Sequence, residues 1–122
     1  MVHKGVIAME SINHLLLSYQ IALKMYHFQT LRYGSHRAAD KYLQRVRAHY
    51  DQLMEVLQGR FGRLTNRTVN IGVRTANDAS IIPLVNDFIR SIKKIDLGQA
   101  VQQILDDMIL DAHQFIYLLR LK

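Results

Sequence analysis

The chain has 122 residues, nearly half of them hydrophobic, with a single proline and no cysteine. That is room for one ordered domain with a core; it excludes disulfides, zinc ribbons and thiol catalysis, and it fits a reducing compartment. Sixteen basic against ten acidic residues give a formal charge of +6, a balance that favours contact with polyanions, nucleic acid above all.

The first predicted helix covers about 6–33, where Ile12, Leu15, Leu16, Tyr19, Ala22, Leu23 and Tyr26 recur at three- and four-residue steps. Tyr33-Gly34 is expected to end it through a left-handed glycine cap, and Ser35 to cap the next helix. That second helix covers about 36–61, with Ala39, Tyr42, Val46, Tyr50, Leu53 and Leu57 as its core stripe, and stops in Gly59-Arg60-Phe61-Gly62. A polar linker, 63–79, carries Arg63, Arg67 and Arg74 without clear periodicity. A third helix starts near Ser80, with Pro83 tolerable in its first turn, and runs to about 96. The fourth covers about 99–121, with Val101, Ile104, Leu105, Met108, Ala112, Phe115, Leu118 and Leu119 as its stripe. Two long helices, a long connector and two more helices predict an all-α, ferritin-like four-helix bundle with one long crossover between the second and third helices, a single domain over 1–122. No signal peptide is evident. The apolar stretches are broken by polar residues before the ~20 positions of a membrane span. Asn66-Arg67-Thr68 is read as a chance glycosylation match.

The second helix also carries His36, Asp40, Asp51 and Glu55. Each i,i+4 pair shares a face. The pairs are eleven residues apart, about three turns at ~3.6 residues per turn, so all four point within roughly 100°. Asp40 and Asp51 still stand about 16 Å apart along the axis at ~1.5 Å per residue, too far for one ion with ligands at ~2–2.5 Å. The spacing therefore asks for a second, antiparallel copy that sets Asp51 and Glu55 against His36 and Asp40 about a two-fold axis. The four residues lie well away from the core stripe. A conventional di-iron bundle builds its site inside from Glu-x-x-His pairs, and none occurs here, so an intersubunit site is expected. His27, just before the turn that delivers His36, is the natural fifth member. Imidazole plus carboxylate without thiolate suits iron, Fe2+ and Fe3+.

A blander reading is that Asp40 and Asp51 form ordinary surface ion pairs with Arg37, Lys41, Arg45 or Arg47, each of little energetic weight. Glu10 with His14 and Asp107 with Asp111 are read as surface pairs, His113 and His49 as packing residues, and Met9, Met25, Met54 and Met108 as core filling. His3 and Lys4 are too few for a DNA-binding tail.

The run His27-Phe28 with His36-x3-Asp40-x10-Asp51-x3-Glu55 resembles the ferroxidase-centre signature of the Dps-type mini-ferritins, and Asp111-Ala-His-Gln-Phe-Ile-Tyr-Leu-Leu resembles their closing helix. Met25-Tyr26-His27-Phe28-Gln29-Thr30 and Val56-Leu57-Gln58-Gly59 are similar to small ferritin-like proteins of large DNA viruses. The two histidines stand closer in sequence than in the family pattern, and Phe28 replaces its tryptophan. The resemblance implies a hollow dodecamer of four-helix subunits that oxidises Fe(II) with peroxide or dioxygen on its two-folds and stores Fe(III) inside. It implies His27, His36 and Asp40 from one subunit and Asp51 and Glu55 from its mate. It also implies a cytoplasmic or nucleoid-associated address, or a virion or infected-host cytoplasm. The alternative is a basic, nucleic-acid-binding architectural protein with little or no ferroxidase activity, using Arg37, Lys41, Arg45, Arg60, Arg63, Arg67 and Arg74. A plain helical scaffold is the third possibility.

Overall fold

Apolar side chains at three- and four-residue spacing can leave water only by turning one helical stripe toward another, and the chain does this four times. The computed structural model describes residues 4–121, which form α1 (Lys4–Gln29), α2 (Tyr33–Phe61), α3 (Ile81–Lys93) and α4 (Gln99–Arg120), with no strand among them. His3 lies outside the described residues. Helix α1 packs on α2, α2 on α4, and α3 on α4.

At mid-height each helix gives one ring to a continuous aromatic chain. Phe88 of α3 stacks on Tyr19 of α1 at 3.7 Å, Tyr19 meets Tyr42 of α2 edge-on, and Tyr42 stacks on Phe115 of α4 at 4.4 Å. The two phenols share a 2.7 Å hydrogen bond, which satisfies polar groups that burial would otherwise leave costly. Burial pushes both phenol pKa values up, so both hydroxyls stay protonated.

The connector from α2 to α3 travels the length of α1. It leaves from Phe61, whose ring packs on Gly5 so closely that a β-carbon there would collide with it. His14 Nε2 meets the Asn70 carbonyl at 3.0 Å midway. At the far end Asp78 joins the α1–α2 turn. Leu64, Val73 and Ala76 tuck under it against the core. Gly62, at φ 100°, ends α2 as expected.

The first turn differs from the sequence reading. Helix α1 stops at Gln29, while Tyr33 and Gly34 open α2 instead of closing α1. Gly34 has no left-handed conformation, Ser35 is buried within α2, and Arg32 occupies the cap position without a side-chain cap. The reason is that Thr30 and Leu31 bind the Asp78 carboxylate, which fixes a three-residue turn. At the head of α3 Ser80 holds the cap position, and Asn77 closes the turn that leads into it. Asn77 Oδ1 accepts from the Ala79 and Ser80 amides, while Ser80 Oγ accepts from the Asn77 amide, in the reciprocal manner of a capping box. Leu118 is exposed, and Ile116 takes its place in the core.

Helix α1 is long and apolar enough, by length and composition, to cross a membrane, contrary to the expectation that its apolar stretches are too short. Within the bundle Met9, Ile12, Leu16, Tyr19, Leu23 and Tyr26 are buried against the other helices.

Tyr42→Phe is expected to lower stability by about 1–2 kcal/mol by orphaning the Tyr19 hydroxyl. The double variant with Tyr19→Phe should lose less than the two single losses combined, because it leaves no unpaired donor. Urea unfolding of the three variants checks this; strict additivity would contradict it.

Candidate functional site

The three-residue turn brings the ends of α1 and α2 together at the two histidines. The rings of His27 and His36 stack at 3.9 Å and 17°. Each Nδ1 lies on the other residue's carbonyl oxygen, His27 Nδ1 on His36 O at 2.9 Å and His36 Nδ1 on His27 O at 2.6 Å. A carbonyl can only accept, so both Nδ1 atoms carry the proton, and in the neutral rings both Nε2 atoms carry the lone pair. Neither Nε2 has a hydrogen-bond partner among the described residues. Backbone carbonyls that fix the tautomer and hold the ring are the usual support behind a metal-binding imidazole.

Asp40, one turn further along α2, shares a groove of about 300 Å³ with His27, His36, Tyr33, Arg37 and Lys41. Among the described residues its one hydrogen bond is a long one, 3.5 Å, from the Gln44 amide. Asp51 and Glu55 are exposed on the same helix. Among the described residues none of the three carboxylates forms an ion pair, so the surface-pair reading of Asp40 and Asp51 finds no partner among them. Nor do the five candidates converge: no group of three or more His, Asp or Glu among the described residues could hold a metal ion. One chain thus carries the paired imidazoles with Asp40 nearby, and separately the Asp51–Glu55 pair.

The profile of a family of unknown function, DUF5856, matches residues 27–119. The chain belongs to that family. No curated protein and no solved structure matches it. The stretch matched to DUF5856 begins at His27 and so takes in all five candidate residues.

The basic candidates divide. Arg45 donates to Gln114 at 2.6 Å and meets Asp111 at 3.4 Å. Arg60 donates to the Leu97 carbonyl and covers the Phe61 ring, and Arg74 pairs with Asp87 at 2.8 Å. These three are engaged within the chain. Arg37 sits over the Tyr33 ring at 6.0 Å and lines the histidine groove with Lys41, while Arg63 and Arg67 stand exposed on the connector.

Several lesser readings change. Asp111 is half-buried: it lies between Arg45 and His49, whose buried Nδ1 stands 3.3 Å from Asp111 Oδ2 without hydrogen-bond geometry. His113 is exposed rather than packed, and His14 holds the connector rather than Glu10.

The residue missed in the sequence is Asp78. It accepts from the Thr30 hydroxyl at 2.5 Å, the Tyr26 hydroxyl at 2.8 Å and the Leu31 amide at 3.2 Å, and thereby fixes the turn on which the imidazoles meet. Those bonds, the Thr30 one foremost, and the nearby Arg32 charge hold its pKa below the usual carboxylate value. A depressed folded pKa contributes stability that is present above the unfolded value, roughly pH 4, and lost as pH falls through the folded one. Asp78→Asn is therefore expected to be about 1 kcal/mol less stable than the parent at pH 7. The gap should narrow as pH falls, as read by thermal melts; a gap that widens in acid would contradict the assignment.

Proposed function

We propose that this DUF5856 chain is a ferroxidase of the mini-ferritin type, which binds Fe(II) between two copies, oxidises it and retains Fe(III). The observation that carries the proposal is the imidazole pair, each ring locked through Nδ1 to the other's backbone, with two Nε2 lone pairs beside Asp40. A second support is the state of Asp51 and Glu55: exposed, without an ion pair among the described residues, and too far along α2 to complete the site from within. An antiparallel copy supplies them. The ferritin-like topology finds support in the connector, which begins beside Gly5 and ends beside Thr30, so that α3 runs parallel to α2 as a long crossover requires.

Iron is here the substrate. Neutral imidazoles hold the ferrous ion, which tolerates nitrogen donors, and the carboxylates offset the extra charge when it becomes ferric. One electron leaves each iron for peroxide or dioxygen, and the acidic groups are the route by which the harder Fe(III), an oxygen-seeking ion, departs toward a store. In a closed dodecamer that store is the cage interior.

Polyanion binding is the second reading. What favours it is the exposed turn, where Lys24 covers Phe28 at 5.1 Å and Arg37 covers Tyr33, a pattern suited to stacking and phosphate contact. Retention on DNA that falls steeply with salt is its signature.

Asp51→Ala combined with Glu55→Ala is expected to slow Fe(II) oxidation at least about tenfold while circular dichroism still reports an intact helical fold. Ferric absorbance after anaerobic loading and addition of peroxide is the readout. Oxidation at the parent rate would refute the assignment of these two carboxylates.

A further inference from the structure

The outward face of α2 is divided by charge along its length. Its first half presents Arg37 and Lys41, both exposed, against the single carboxylate Asp40, and Arg47 stands at mid-length. Its second half presents Asp51 and Glu55, and no lysine or arginine occurs between residues 48 and 59. Neither Arg37, Lys41, Asp51 nor Glu55 forms an ion pair among the described residues. A helix face that is basic at one end and acidic at the other is complementary to itself when turned end over end, which is the symmetry of an isologous two-fold. In the register that sets His36 opposite Glu55 and Asp40 opposite Asp51, Arg37 and Lys41 each fall one residue beyond those positions, within reach for long side chains.

We infer that in the metal-free protein Arg37 and Lys41 of one copy pair with Glu55 and Asp51 of a second, so that the dimer is held by the cations that iron must displace. The inference rests on the proposed two-fold site and adds its regulation. The carboxylates have two competing partners, an internal guanidinium and ammonium, or an entering Fe(II). Loading then exchanges one set of positive charges for another without exposing bare carboxylates, and it frees Arg37 and Lys41.

Sedimentation of the metal-free full chain, with Co(II) as a non-oxidising probe, tests this. Arg37→Glu is expected to weaken the metal-free dimer at least about tenfold, and Glu55→Arg on the same chain to restore it, since each pair crosses the two-fold. Arg37→Gln with Lys41→Gln should weaken the metal-free dimer yet tighten Co(II) binding, two opposite shifts that simple removal of charge repulsion would not give together. A metal-free dimer indifferent to Arg37→Glu, or a chain monomeric at every concentration tested, overturns the inference whatever the metal does. A dimer that obeys the charge swap while neither parent nor variants bind Co(II) removes the iron site instead, and with it the competition.

Discussion

The hydrogen bond between the hydroxyls of Tyr19 and Tyr42 sits where all four helices meet, and it ties their register together. Each phenol is buried, so each needs the other. With Phe88 stacked on one ring and Phe115 on the other, a displacement of any helix along its axis disturbs one of three ring contacts or that bond. The consequence reaches the surface. Once α1 and α2 are fixed at mid-height, the spacing of their ends is fixed too, and a three-residue turn suffices to bring His27 over His36.

That turn is held from outside the hairpin, by the last residues of the connector. Asp78 binds Tyr26, Thr30 and Leu31, so the long segment between α2 and α3 anchors the site as well as joining two helices. The same segment touches α1 at its start through Phe61 and midway through His14. The site therefore stands on three contributions: aromatic packing within the bundle, a carboxylate clamp at its end, and mutual carbonyl acceptance by the two imidazoles. Together they set the mutual geometry of the two rings, as the metal-binding role proposed for them requires.

Much of this is legible in the residues. The stripes of α1, α2 and α4 appear at their helical spacing, and Gly62 marks the end of α2, because burial and a positive-φ glycine act locally. The turn at 30–32 is not legible. Gly34 and Ser35 look like a cap and a helix start, yet a carboxylate from a segment 48 residues further on decides where α1 stops. Asp111 misleads for the same reason: spacing on α4 says surface, while Arg45 and His49 of α2 draw it in. The i,i+4 pairs of α2 are visible because they lie on one helix. Whether they face a second copy depends on a surface no single chain can display.

The central claim is that the imidazole half and the carboxylate half of one iron site belong to different copies. Mixing tests it most directly. A chain with His27→Ala and His36→Ala, and a chain with Asp51→Ala and Glu55→Ala, are each unable to build either site as a homodimer. Unfolded together and refolded, they form heterodimers with one complete site, so the mixture should recover roughly a quarter of the parent rate of Fe(II) oxidation. A mixture as inactive as its components, with heterodimers present, would contradict the shared site.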